Sequence, residues 1–155
     1  MPFCDECGAE MGPVVPRDMP YDCDIPGVVL RGVGVSTCTE CDNWMMRVPN
    51  VQTLHKALAA HVIGKPGRLT GPEIRFLRKY LGWSGRDFAR EVDYNHSTVS
   101  RWENGHTRIP RAVDRLLRAY ALRGRPIEDY ESMGPAGPPS PLVLRPSGGA
   151  WKIAG

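Results

Sequence analysis

Cys4-Asp5-Glu6-Cys7 and Cys38-Thr39-Glu40-Cys41 are two C-x-x-C pairs separated by thirty residues, and they restrict the possible folds of this chain more than any other feature. A two-residue gap lets both thiolates of a pair turn toward one ion about 2.3 Å away, and two such knuckles complete a closed tetrahedral shell. Four sulfur ligands leave no open position for water or substrate, so the spacing predicts one structural zinc per chain on Cys4, Cys7, Cys38 and Cys41, and not a catalytic one. Redox dithiols and disulfides remain as alternatives. A redox pair asks for a strand–C-x-x-C–helix setting, a depressed thiol pKa and no bound metal, and neither pair has that setting in its flanking sequence.

Residues 1–50 contain all five cysteines and carry eight acidic side chains against three basic ones. A segment of that length buries too little to fold unaided, so the metal is expected to supply much of its folding free energy. Within it, Tyr21-Asp22-Cys23-Asp24-Ile25 alternates apolar with charged, and a second β-like run covers Val28 to Leu30 with Val33 and Val35, bounded by glycines. The expectation is a small antiparallel sheet closed by zinc, with Cys23 a buried thiol on the face of Tyr21 and Ile25 and not a fifth ligand.

Residues 68–125 reverse the charge, with thirteen Arg and Lys against six Asp and Glu. A surplus of that size on so short a segment suits a polyanion, although a solvated arginine-rich surface has the same composition. The apolar periodicity resolves this segment into four helices. Thr70 with Glu73 three residues later reads as a capping box, followed by Ile74, Leu77 and Leu81 on one face up to Gly82. Ser84 and Asp87 open a second, short helix with Phe88, Ala89 and Val92 inward. Asp93-Tyr94 makes a tight turn, and Asn95 caps a third helix carrying Val99 and Trp102 inward until Asn104-Gly105 closes it. Pro110 begins the last, with Val113, Leu116, Leu117, Tyr120 and Ala121 at helical spacing.

Two short helices joined by a tight turn, with small Ala89 where they approach, form the pattern of helix-turn-helix DNA binders. The third helix then enters the major groove. His96, Ser97, Ser100 and Arg101 face outward near its start, with Thr98 beside them. Arg101 suits a bidentate bond to guanine, Ser97 and His96 suit a base edge or phosphate, and Arg86, Asn95 and Arg108 are placed for phosphate.

Between the two parts, 51–67 reads as a short helix and a hinge ending at Gly64 and Pro66, and 124–155, with six Pro and six Gly, reads as a flexible tail. Leu142-Val143-Leu144 with Trp151 and Ile153 leave a docking strand or partner-binding element open there. The overall class is α+β in two domains, 1–50 and 68–123. No membrane-spanning run or secretory leader is recognisable, which predicts a cytoplasmic protein. No Ser/His/acid or paired-carboxylate constellation shares an element, and His55, His61, His96 and His106 have no spacing that makes them converge, so catalysis is not expected.

Through Ser97-Thr98-Val99-Ser100-Arg101-Trp102-Glu103-Asn104-Gly105 the second half resembles the Xre, or lambda-repressor-like, domains. With Cys4/Cys7 and Cys38/Cys41 ahead of it, 1–123 as a whole resembles the MqsA (YgiT-type) antitoxins of bacteria. That resemblance implies a zinc domain that neutralises a small basic toxin and a second domain that dimerises, binds a palindromic operator and represses its own operon. It matches the four cysteines to the zinc ligands and places Ser97 and Arg101 where bases are read. The chain departs from the family at Ser97, which stands for a base-reading Asn, at Gly85, which stands where related domains often have a phosphate-contacting Gln, and after Gly124. A regulator with the same DNA chemistry but no toxin, of phage or mobile-element type, is the alternative. Dimer contacts are expected around Leu117, Tyr120 and Leu122 of the last helix.

Overall fold

A computed structural model describes residues 2–124 and 141–154. The chain runs through β1 (Val15–Pro20), β2 (Val29–Thr37), β3 (Trp44–Arg47), α1 (Val51–Gly64), α2 (Gly71–Tyr80), α3 (Gly85–Glu91), α4 (His96–Glu103), α5 (Arg111–Arg123), β4 (Leu144–Ser147) and β5 (Ala150–Ile153). It is an α+β protein: a small β module carrying the cysteines, then a five-helix bundle.

The first three strands form an antiparallel sheet in the order β1-β2-β3, with β2 central. The 21–25 segment, expected as a strand, is instead a loop. Asp24 (φ 67°) and Gly27 (φ 76°) take left-handed conformations that break an extended run. The outer strand is β1, which contains Pro16 and Pro20; proline lacks the ladder N–H and is tolerated there because β1 is an edge. Cys4, Met11 and Cys38 are the buried centre of the module, with Ala9 and Met45 packed on them.

The helical core is built from Ile74, Phe76 and Leu77 of α2, Phe88 and Ala89 of α3, Val99 and Trp102 of α4, and Val113, Leu117 and Ala121 of α5. Ala59 and Val62 of α1 are buried in the same core. The 51–67 segment is therefore not a free helix and hinge. Arg118 of α5 fixes the connector by donating to the carbonyls of Ile63 (3.1 Å), Lys65 (2.7 Å) and Gly67 (2.6 Å). Its Nε lies 2.7 Å from the buried Asp114 carboxylate, whose other oxygen accepts from the Leu69 N–H at 2.7 Å.

The loop between β1 and β2 closes the gap between module and bundle. Cys23 and Ile25 pack against the helical core, Tyr21 shares a 2.8 Å hydrogen bond with His55 of α1, and Asp24 lies 3.1 Å from Lys79. Cys23 is half-buried there, and burial pushes its thiol pKa up.

The tail expected to be flexible ends in a hairpin, β4 paired with β5 across Gly148 (φ 56°) and Gly149 (φ 80°), a two-residue turn that glycine accepts without strain. Its apolar residues alternate, Leu144 opposite Ile153 and Pro146 opposite Trp151, a local period hidden by the Pro/Gly-rich average composition of the tail. The expectation for 125–140 lies outside the described residues. Leu117 and Tyr120 are buried within the bundle and so are not dimer contacts, whereas Leu122 is exposed. No helix among the described residues is long and apolar enough to cross a membrane.

Candidate metal centre and nucleic-acid interface

The two C-x-x-C pairs meet. The four Sγ atoms of Cys4, Cys7, Cys38 and Cys41 all lie within 4.8 Å of one another, with Cys4–Cys41 and Cys7–Cys38 each at 3.5 Å. A tetrahedron with ligands about 2.3 Å from its centre has edges of about 3.8 Å, so the group fits a single metal ion. Cys23 lies outside it.

Local backbone geometry shapes both knuckles in the same way. Each second cysteine is followed by a left-handed residue, Gly8 (φ 75°) or Asp42 (φ 58°), which turns the chain back on itself. The Cys4 N–H then donates to the Ala9 carbonyl at 2.8 Å, and the Cys38 N–H to the Asn43 carbonyl at 2.7 Å. The Thr39 hydroxyl donates to the Glu10 carbonyl at 3.3 Å, joining one knuckle to the other.

Donors also point at the sulfurs. The Glu40 N–H lies 3.4 Å from Cys38 Sγ, and the Asn43 amide 3.6 Å from Cys4 Sγ. The Cys7 backbone N–H and then the Asn43 amide hold the Cys4 thiol down to about 6, and the Glu40 backbone N–H lowers Cys38. At Cys41 a backbone hydrogen bond to Asn43 works in the lowering direction, but the thiols of Cys7 and Cys4 outweigh it and push the group up to about 12. Crowded thiols oppose each other's ionisation, and a divalent cation at their centre removes that opposition. Asn43 was not legible as a participant, because nothing in its sequence setting separates it from a turn residue.

In the bundle, α3 and α4 are joined by a turn at Val92–Asn95 in which Asp93 is left-handed (φ 58°). Ser84 and Asp87 form the capping box of α3, and the Asn95 side-chain Oδ1 caps α4 by accepting from the Thr98 N–H at 2.8 Å. The inward residues are Phe88, Ala89, Val99 and Trp102, all buried. Trp102 is core, in edge contact with Tyr94 at 4.9 Å between centroids.

The outward residues of α4 divide into two groups. Three hydroxyls are occupied locally: Ser97 and Thr98 each donate to Asn95 Oδ1 at 2.7 Å, and Ser100 accepts from Asn104 at 3.2 Å. Asn95 thus spends its side-chain Oδ1 on capping α4. Arg101 is exposed and, among the described residues, has no ion-pair or hydrogen-bond partner for its side chain; the same holds for Arg86 and Arg108. His96 is exposed with its ring over Gly85, where an added Cβ would lie 3.1 Å from Nε2. The space of a side chain at the start of α3 is thus taken by the first residue of α4.

Many of the other cations hold the fold together. Arg78 and Glu103 form a two-point ion pair, Arg75 reaches both Glu103 (3.7 Å) and Asp24 (3.9 Å), and Arg90 pairs with Asp87 at 2.7 Å. The charge surplus of the segment is therefore concentrated on fewer side chains than its composition suggests.

Residues 71–129 match the family model described as a helix-turn-helix domain, a stretch that takes in both α3 and α4. No curated protein matches the chain.

Proposed function

We propose that this chain, which carries a helix-turn-helix domain behind a four-cysteine cluster, is a sequence-specific transcriptional repressor of the antitoxin type. The observation behind this reading is the outward surface of α4: a capped helix whose apolar side is buried and whose other side presents Arg101, His96 and Ser97, with exposed Arg86 and Arg108 at its flanks. Arg101 reads a guanine edge, His96, Ser97, Thr98 and Ser100 face neighbouring bases or phosphates, and Arg86, Asn95 and Arg108 take phosphate. One recognition helix per chain suits a homodimer on a palindromic operator, with half-sites about 34 Å apart.

The metal is zinc, bound by Cys4, Cys7, Cys38 and Cys41 in a structural role. It cross-links two knuckles around a core too small to stand alone. The acidic module repels phosphate, and its exposed Asp5, Glu6, Glu40 and Asp42 suit a basic protein, so the module is assigned a small basic toxin as partner.

Two experiments test this reading. Footprinting on the DNA upstream of the chain's own coding sequence is expected to show a symmetric protected site that needs a higher protein concentration with Arg101→Ala, a weakening of about 1–3 kcal/mol; an unprotected duplex contradicts the repressor reading. Capture of the tagged chain at high salt is expected to bring down one stoichiometric small basic protein, lost with Cys38→Ser. Recovery of a zinc-loaded dimer alone favours a regulator without a toxin.

A further inference from the structure

Apart from the surface assigned to base reading, the bundle carries a second cationic feature, a cleft of about 310 Å³ between α5 and the connector from α1 to α2. Lys65, Arg68, Arg111, Arg115 and Arg118 line it, with Asp114 as its one acid. Two of these cations are neutralised within the fold: Lys65 lies 2.7 Å from Glu73, and Arg118 pairs with Asp114. Arg68 donates to the Ile109 carbonyl at 3.0 Å, a neutral partner that leaves its charge uncompensated. Arg111 and Arg115 are exposed and, among the described residues, their side chains have no partner.

The helix itself gains nothing from these two charges. Arg111 and Arg115 are four residues apart on one face of α5, a spacing at which like charges repel. Arg111 also stands in the first turn, where the helix dipole disfavours a cation. The one acid in the first turn, Asp114, is already committed to Arg118 and the Leu69 N–H. Arg111 and Arg115 therefore face an open cleft without a stabilising partner among the described residues, and Arg68, bonded only to a neutral carbonyl, adds a third excess charge.

The cleft is also continuous with the surface that follows the recognition helix. Arg68 lines a second cleft as well, of about 550 Å³, whose wall includes His106, Thr107 and Arg108 from the loop after α4. A cationic path thus leads from Arg108 through Arg68 to Arg111 and Arg115.

We propose that Arg68, Arg111 and Arg115 bind the phosphodiester backbone of the DNA flanking the half-site read by α4, extending the contacted duplex beyond the base-read positions. This rests on the DNA-binding reading above. Guanidiniums spaced along a groove fit successive phosphates, and each phosphate neutralised adds about 0.9 to the steepness of the log–log salt dependence of binding without adding sequence preference.

The test is anisotropy of the full chain on selected duplexes of two lengths, one ending at the half-site boundaries and one extended on both sides, across a salt series. On the long duplex the Arg111→Ala/Arg115→Ala double variant is expected to lose about 1.8 from the slope while keeping the selected sequence. The corresponding double lysine variant is expected to keep the slope, because a point charge suffices for phosphate. On the short duplex wild type and the alanine variant are expected to bind alike. A wild-type slope for the alanine variant, or an equal loss at both lengths, overturns the proposal. If either happens while Arg101→Ala still removes the preference at one base position, the base-reading assignment stands; if Arg101→Ala is also without effect, that assignment is the one that fails.

Discussion

Gly71 lies against the main chain of Glu103 so closely that a Cβ at position 71 would sit 2.2 Å from the Glu103 carbonyl oxygen. The first turn of α2 thus rests on the last turn of α4, and the angle of α4 depends on the absence of a side chain. The Glu103 carboxylate is held from the same helix by Arg78 and Arg75. Gly71→Ala is expected to destabilise the bundle by about 1–3 kcal/mol through backbone displacement, although alanine is the better helix former. Urea unfolding of the full chain measures this; an unchanged midpoint contradicts the contact.

The bundle begins at Val51 and not at Arg68. Val62 is buried between α1 and the rest of the core, and Val62→Ala is expected to cost about 1–2 kcal/mol for the lost methyl groups and the cavity. A fragment starting at 51 is expected to unfold cooperatively, while one starting at 68 exposes the α1-facing surface of α2 and α5 and melts at lower urea. Equal stability of the two fragments would show α1 to be a linker after all.

Most of the helical half was legible because its signals are local. The Thr70/Glu73 and Ser84/Asp87 capping boxes, left-handed Asp93 and the Asn95 cap depend on residues within one turn, and each is in place. The four-cysteine cluster was legible because the two-residue spacing is itself a geometric statement. The sheet was harder to read. β1 carries two prolines that local propensity excludes, and only its edge position permits them. The 21–25 alternation matches a strand pattern, yet Tyr21, Cys23 and Ile25 turn toward the helices, a tertiary demand that no window of sequence contains. The same is true of Arg118, whose three carbonyl partners lie more than fifty residues away.

Metal removal is expected to act on one half first. A chelator should unfold residues 2–47, whose buried centre is little more than Cys4, Met11 and Cys38, and leave the helices intact. Limited proteolysis read by mass spectrometry checks this: cleavage confined to the β module is expected. Simultaneous degradation of the bundle would mean that the Tyr21–His55 and Asp24–Lys79 contacts make the two parts a single cooperative unit.

The α3 cap gives a pH dependence of definite sign. The Ser84 backbone N–H and then its side chain, with Arg90 adding, hold the Asp87 carboxyl below the ordinary carboxylate range. A depressed folded-state pKa means the stabilisation is fully present above the unfolded value and lost as pH falls through the folded one. Asp87→Asn should therefore flatten the acid limb of the stability curve and leave the dependence above pH ~5 unchanged. A parallel loss at all pH values would place the effect elsewhere.

The most direct measurement is selection from a random duplex library with the full zinc-loaded chain, repeated with Arg101→Ala. The expected result is enrichment of an inverted repeat with half-site centres about 10 base pairs apart, in which one base position loses its preference in the variant. Failure to enrich any sequence, or an identical motif from both proteins, would contradict the assignment of α4 as the reading helix.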